Sequence, residues 1–344
     1  MKKKWFVLLS IFMIAAMMFN ATSATASAST EPVELKLAHA WATTHHVHVI
    51  LDQWAKDVGQ ATNGRVKITI YPGGALSTAV QLYDIVKTGV ADLAWFLQGY
   101  TPGKFPLTSV IELPFMATSA KQGSQALWEL CETSPEMQAE YAGVKLLSIW
   151  TVDTGQLMTT RKVVRNVNDI KGLKLRIGSD TLKPTAEALG AVPILMAINE
   201  LYDALQKGVV DGTLLGTSAI RTFKLQGVLK GLTIGHFFVN AQALGINKNS
   251  WAKIPAADQK IMMDLAGVRL AKITGIKFDS EGQVGYDDAK AAGVEIVEMP
   301  PAEMTKWKDA VGGIYQKWIA DMNAKGLPGQ QIYNRTKELL KKYE

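Results

Sequence analysis

One arginine, Arg176, has the setting of an anion-binding group. It ends the run DIKGLKLR, in which a polar turn and Gly172 precede a short apolar strand, and Ile-Gly-Ser follows it. Binding groups concentrate in loops held on a rigid scaffold. A guanidinium presents a planar fork of donors that fits a carboxylate. We expect Arg176 to bind a carboxylate in a cleft; a salt bridge to Asp153, Asp180 or Asp211 is the alternative.

Motifs of other chemistries are missing from the sequence. There is no GxSxG, GxxxxGK[ST] or CxxC motif, and no GxGxxG follows a strand. Four histidines, His39, His45, His46 and His48, are close in sequence, but a strand and a helix would place them on different faces. They predict a histidine lining the cleft rather than a metal site. We expect no metal and no cofactor.

The first 28 residues have the pattern of a secretory signal peptide. Three lysines precede an apolar stretch, residues 5–19, and small residues follow at 24–28. The stretch is short for spanning a bilayer. We expect cleavage there and a periplasmic mature protein, whose formal charge falls from +6 to +3 with the three lysines. No dense basic block with interleaved aromatics appears, so no nucleic-acid partner is expected.

Strand and helix patterns alternate along the mature chain. Strands are predicted at 33–39, 65–71 and 91–96 with helices at 46–58 and 79–88 between them, an order that favours a largely parallel sheet. A second αβ unit covers residues 156–215. The pattern 256–280 predicts one helix long enough to bridge both units. The fold class is therefore α/β, with two αβ lobes joined by strands at a hinge. We assign 29–153 and 238–280 to lobe I, and 154–237 and 281–344 to lobe II.

The carboxyl ends of the predicted strands share a composition. Open αβ sheets bind ligands beyond these ends. In this chain the ends carry residues 41–45, 95–100, 156, 176–179 and 215–218, which are aromatic, apolar or amide except for Arg176. For Trp95, packing in the core is the alternative to ligand contact.

Six segments together resemble a known family. VELKLAHAW, RVKITIYPGGAL, GVADLAWFLQGYTPGKFPLTSVIELPF, TGQLMTTRKV, DIKGLKLR and LYDALQKGVVDG are similar, in order, to solute-binding proteins of tripartite ATP-independent periplasmic (TRAP) transporters, DctP type. The resemblance implies a periplasmic-binding-protein-like fold, closure around an organic acid held by Arg176, and delivery to an ion-gradient-driven membrane permease without catalysis. A homodimer through the terminal helical region, 307–343, is possible, as in a subset of the family.

Departures from the family pattern narrow the range of ligands that we expect. Gln156 stands where dicarboxylate and sialic-acid binders usually carry a second arginine, and Ile198 and Leu215 replace aromatic and polar residues. A second buried carboxylate would therefore lack a cation, so we predict a monocarboxylate with an apolar or aromatic body. The predicted ligand-binding residues are Arg176 as carboxylate clamp, Gln156, Trp41, His45, Trp95, Phe96, Leu97, Gln98, Tyr100, Ile198 and Leu215.

Two other functions compete with this one. A binding protein of the same fold could serve a sensor or another transporter. An exported αβ enzyme could use His45 or His46 with Asp153 or Asp211 as acid and base, which requires those groups within hydrogen-bond reach of a substrate.

Overall fold

The computed structural model describes residues 31–344; the predicted signal peptide lies outside the described residues. The strands are β1 (Val33–Ala38), β2 (Val66–Tyr71), β3 (Leu93–Leu97), β4 (Lys145–Thr151), β5 (Gly155–Thr159), β6 (Lys174–Ile177), β7 (Val192–Leu195), β8 (Gly212–Gly216), β9 (Gly231–Ile234), β10 (Ala241–Ile246) and β11 (Glu295–Glu298). The α-helices are α1 (His46–Ala61), α2 (Leu82–Thr88), α3 (Ala120–Thr133), α4 (Pro135–Glu140), α5 (Lys183–Ala188), α6 (Leu201–Lys207), α7 (Ser218–Thr222), α8 (Lys248–Ala252), α9 (Ala256–Leu265), α10 (Gly267–Ala291), α11 (Pro301–Val311), α12 (Gly313–Ala324) and α13 (Gly329–Lys342).

The strands form two mixed sheets. The first has the order β2-β1-β3-β10-β4 and the second β11-β9-β5-β8-β6-β7. In the first, β10 runs antiparallel to both neighbours, whereas β1 pairs with β2 and β3 in parallel. In the second, β5 runs antiparallel to both neighbours. Each reversed strand is the one through which the chain enters from the other sheet. We call the bodies around the first and second sheets lobe I and lobe II.

A two-stranded ribbon carries the chain between the lobes. Residues 152–154 lead from β4 into β5, and residues 235–240 lead back from β9 into β10. Val152 N donates to Asn240 O at 3.0 Å and Gly155 N to Phe238 O at 2.7 Å. A Cβ at Gly155 would clash with the Phe238 ring. Glycine therefore lets the crossing segments pair closely, and the predicted hinge is this ribbon.

Hydrophobic core lies on both sheets. Trp95, Trp150 and Leu244 are completely buried in lobe I. In lobe II, Leu201 and Leu232 belong to a separate buried cluster behind the second sheet. The main cluster continues from lobe I through Phe237 and Phe238 of the ribbon to Leu175 of lobe II, so the ribbon is part of the packed interior.

The predicted helix 256–280 is interrupted. Helix α9 ends at Leu265, Ala266 has φ −99° and ψ −121°, and α10 begins at Gly267 with φ +45°. Ser148 Oγ donates to Gly267 O at 2.8 Å, which ties the break to β4. Glycine adopts a positive φ at little cost. Periodicity continues through such a break, so the sequence pattern could not reveal it.

Helix α10 spans both lobes, because it packs against α3 in lobe I and α7 in lobe II. Glycines on the packed side permit this approach. A Cβ at Gly275 would lie 2.7 Å from Ala120 O, and one at Gly285 would overlap Thr217 O. The helix therefore connects the lobes through backbone contacts.

The terminal region departs from the expected lobe assignment. Strand β11 pairs with β9 of lobe II as expected. Helix α13, however, packs on α3 of lobe I, and Gln122 Nε2 donates to Leu340 O at 3.0 Å. The apolar side of α13 contains Ile332 and Leu339, both buried in the core of lobe I. Assigning all of 281–344 to lobe II is thus wrong for this last helix. The sequence patterns also missed β9 and α7.

Substituting Gly285 tests the close approach of α10 to α7. Gly285→Ala should lower the free energy of unfolding by about 1–3 kcal/mol, because the added methyl group meets a backbone carbonyl and forces the helices apart. Gly313→Ala is the control, since nothing lies within 4 Å of a Cβ there. Urea unfolding of the mature chain measures both. Equal stability of the two variants would contradict the packing described.

Candidate functional site

A cavity lies between the lobes, at the carboxyl ends of β1, β3, β6 and β8. Its volume is about 70 Å³. Lobe I, lobe II, the ribbon and α10 all contribute to the wall. The lining residues are Trp41, His45, Leu97, Tyr100, Val152, Asp153, Arg176, Gly178, Ile198, Leu215, Gly216, Ser218, Ala219, Thr222, Phe223, Asn240, Gln242 and Phe278.

Arg176 is the one Lys or Arg among these lining residues, and it is only 2% exposed. Its Nε donates to Met196 O at 2.9 Å. Within residues 31–344, no carboxylate oxygen lies within 4.0 Å of the guanidinium. Asp153 instead binds Ser218, and Asp211 accepts from Lys174 N. The salt-bridge alternative therefore fails in the described structure.

The groups around Arg176 affect the pKa of its guanidinium and leave space for it. Burial lowers the pKa of the guanidinium, whereas the nearby Tyr100 hydroxyl and the Glu200 carboxylate raise it. Arginine stays protonated at neutral pH. A Cβ at Gly178 would lie 3.0 Å from Nη1, so the glycine leaves room for the guanidinium. Tyr100 also accepts from Ile198 N at 3.2 Å across the lobes.

An aromatic stack forms the lobe I wall. The rings of Trp41 and Trp95 stack with centroids 3.8 Å apart and planes 19° apart. Trp41 lines the cavity, whereas Trp95 is fully buried and donates from Nε1 to Gln242 Oε1 at 2.9 Å. Trp95 supports Trp41 rather than lining the cavity itself. Phe278 of α10 adds a further ring to the wall.

His45 is neutral and its tautomer is fixed. At the N-cap of α1, its Nδ1 accepts from Val47 N at 3.1 Å, which leaves the proton on Nε2. Burial and the neighbouring histidines lower its pKa well below the ordinary value. Neither His45 nor His46 hydrogen-bonds to Asp153 or Asp211 in the part of the chain described. The acid–base pairing that an enzyme would need is therefore not formed. Nor does this part hold a group of three His, Cys, Asp or Glu side chains suited to a metal.

The structure brings together seven of the predicted site residues and places four elsewhere. Gln156 Oε1 accepts from Gly235 N and His236 N at 2.8 and 2.9 Å, so it holds the ribbon. Gln98 Nε2 donates to Tyr141 OH at 2.9 Å, and Phe96 faces the opposite side of β3 from Leu97. Placing Gln156, Phe96, Gln98 and Trp95 on the cavity wall is thus corrected. Those that line it are Trp41, His45, Leu97, Tyr100, Arg176, Ile198 and Leu215.

Sequence reasoning missed several lining residues. Phe223 follows α7, which the patterns did not predict, and Phe278 lies on a helix whose inward face was not known. Asn240 immediately precedes β10 and Gln242 is the second residue of that strand, so alternation along the extended segment could have placed them on one face. Asp153 was considered only as an ion-pair or catalytic partner.

The lobes also contact each other beside the cavity. The buried Glu112 carboxylate of lobe I accepts from Ser179 Oγ of lobe II at 2.8 Å and from Thr181 Oγ1. Its other oxygen accepts from Ala241 N at 2.9 Å. A Cβ at Gly99 would lie 2.5 Å from Ser179 Cβ. Ser179 follows Arg176 by three residues, so the loop after the arginine is also a contact between the lobes.

The family model for bacterial extracellular solute-binding protein, family 7 (DctP), matches residues 37–321. The chain belongs to this family. A TRAP solute-binding protein from a marine metagenome, described as specific for aromatic acid ligands and crystallised with 3-hydroxybenzoate, is 30% identical with a TM-score of 0.87, covering 91% of this chain and 99% of that one. One from Rhodoferax ferrireducens with copurified benzoate is 28% identical with a TM-score of 0.86, covering 90% and 98%. The C4-dicarboxylate-binding periplasmic protein DctP of Rhodobacter capsulatus is 26% identical, with 86% and 89% covered.

These similarities confirm the predicted family and fold class: this is a TRAP-type solute-binding protein of two αβ lobes. Members of the family bind substrates rather than transform them. Named ligands differ among the relatives, so the family alone leaves the ligand class open.

Asp153 makes the stability of this site dependent on pH. Burial raises its pKa from 3.8 to about 6, opposed by hydrogen bonds from Ser218. The folded state therefore holds this proton more tightly than the unfolded state between pH 4 and 6, so the group's contribution to stability falls as pH rises through that window. The wild type should lose about 3 kcal/mol relative to Asp153→Asn between pH 4 and 7. Urea unfolding at each pH measures this difference.

Asp264→Asn, an exposed aspartate on α9, controls for the loss of one carboxylate. A difference between wild type and Asp153→Asn that stays constant across the window would show that the buried carboxyl group does not titrate there.

Proposed function

We propose that this protein captures a monocarboxylate with an aromatic or apolar body between its lobes and delivers it to a TRAP membrane permease driven by an ion gradient. The observation that carries the proposal is the buried guanidinium of Arg176, which has no carboxylate partner within residues 31–344. Burying an unpaired charge is costly. A ligand carboxylate supplies the missing charge and matches the guanidinium in geometry.

The rest of the wall favours an apolar body. Trp41, Leu97 and Phe278 surround the space with aromatic and aliphatic surface, and Ile198 and Leu215 face it from lobe II. Aromatic rings prefer stacked or edge-on contacts with a ring ligand. Relatives with benzoate and 3-hydroxybenzoate bound support the same class.

A second carboxylate would be unfavourable in this cavity. The wall contains no second Lys or Arg, and it does contain the carboxyl group of Asp153. Gln156, at the position of the second arginine in dicarboxylate binders, lies in β5 and accepts hydrogen bonds from the ribbon. We therefore propose a monocarboxylate even though one relative binds C4-dicarboxylates.

Binding and release, without bond making, are the proposed action. The ribbon and α10 connect the lobes as a hinge, and hinge closure around a ligand is a known transition of periplasmic binding proteins. No histidine–carboxylate pair is formed in the described residues to act as acid and base. We propose export with removal of residues 1–28, so that the ligand is met in the periplasm.

Replacing Arg176 tests the carboxylate clamp. Arg176→Met should weaken benzoate binding at least about 30-fold, because a buried charge partner is lost. The ligand-free variant should unfold at the same or a higher temperature, since an uncompensated buried charge is removed. Calorimetric titration and thermal unfolding measure the two effects. Arg165→Met, an exposed arginine paired with Glu295, is the control. Unchanged benzoate binding by Arg176→Met would refute the clamp.

Three acids test whether the ligand can carry a second carboxylate. Isophthalate adds a second carboxylate to the ring of benzoate, and it should bind at least about tenfold more weakly because that carboxylate has no cation to pair with. Succinate should bind as poorly. Calorimetric titration of the mature chain with all three acids decides the matter: tight succinate binding together with no binding of benzoate would overturn the monocarboxylate proposal.

A further inference from the structure

Two amide side chains in the cavity wall, Asn240 and Gln242, have donor groups without a protein partner in the described structure. We propose that they bind an oxygen acceptor that the ligand carries in addition to its carboxylate. The substrate class is then hydroxy- or oxo-substituted aromatic acids rather than unsubstituted ones. This inference rests on the proposed function and assigns a second polar subsite within it.

The orientation of the Gln242 amide is fixed by two tryptophans. Its Oε1 accepts from Trp95 Nε1 at 2.9 Å and from Trp150 Nε1 at 3.2 Å. An indole N–H can only donate, so this atom must be the oxygen and the other the NH₂ group. Gln242 is 6% exposed and lines the cavity. Its Nε2 is therefore the polar atom left for a ligand.

Asn240 adds a second group on the same side. Its Nδ2 is buried and has no hydrogen-bond partner among the described residues, while its backbone oxygen accepts from Val152 N. Buried donors are rarely left unsatisfied. Side chains two residues apart along an extended segment share a face, and both of these line the cavity. Asn240 and Gln242 thus offer amide groups to one occupant.

The acceptor that fits this pair is a neutral oxygen. Amide groups carry no charge, and the nearby wall includes the Asp153 carboxyl group but no second Lys or Arg. A second carboxylate would be poorly compensated, whereas a hydroxyl or carbonyl oxygen carries no such penalty. A site built to hydrogen-bond a substrate oxygen also rejects the analogue that lacks it.

The test is a double-mutant-type cycle in which the Asn240 amide of the protein and the hydroxyl group of the ligand are removed separately and together. The mature chain is titrated calorimetrically with benzoate, with the three ring isomers of hydroxybenzoate, and with 3-methylbenzoate as the control for size. The best hydroxybenzoate should bind about tenfold or more tightly than benzoate and 3-methylbenzoate. In Asn240→Leu, which keeps the size and loses the amide, that preference should fall to within about threefold.

Controls separate the possible failures. Asn249→Leu, on exposed α8 outside the cavity, should keep the preference, and Asn240→Ala replaces Asn240→Leu if the latter does not fold. Equal weakening of benzoate and hydroxybenzoate would mean that the amide binds the shared carboxylate, and an unchanged preference would mean that it binds neither. Either result overturns this inference and leaves the Arg176 clamp standing. Binding of none of these acids to the wild type overturns both proposals.

Discussion

The constraint on which the site depends is the burial of one positive charge with no carboxylate in contact with it in the described chain. Arg176 is 2% exposed. Its guanidinium donates to Met196 O and lies near the Tyr100 hydroxyl, and within the described chain the Glu200 carboxylate acts on it without forming a salt bridge. Strand β6 holds it in place between β7 and β8. Packing of the sheet stabilises an arrangement that is electrostatically unfavourable in the absence of ligand. A ligand carboxylate relieves that penalty, and it does so most strongly when water is excluded, since charges interact more strongly at low dielectric.

Water is excluded where the two lobes meet. Several contacts between the lobes involve the loop that follows Arg176. Ser179 meets Gly99 and the Glu112 carboxylate of lobe I, while Tyr100 reaches Ile198 of lobe II. A glycine at position 99 is needed because a side chain would keep the lobes apart. The same short loop therefore follows the buried cation and forms part of the contact between the lobes.

The sequence could predict the parts of this site that depend on local pattern. Arg176 at a strand end, Trp41 after β1 and the order of elements all follow from periodicity and turn residues. The direction of the Gln156 side chain could not be predicted from the sequence. It depends on how β5 joins the second sheet and on the segment 235–240, which runs back beside it. The orientation of the Gln242 amide could not be predicted from the sequence either. Its orientation depends on Trp95 and Trp150, which come from two other strands and meet only in the folded sheet.

The family resemblance predicted Arg176 as the cation that binds the carboxylate, and the proposed selectivity of the site depends on the groups around this arginine. Here Trp41 and Phe278 supply surface that excludes water, and Asp153 places a carboxyl group at the ribbon. A second anion in the ligand would lose its hydration and approach that carboxyl group with no cation to offset either cost. The proposed selection against dicarboxylates therefore follows from the missing second cation in the wall, and the proposed subsite of Asn240 and Gln242 would add a preference among oxygen-bearing rings.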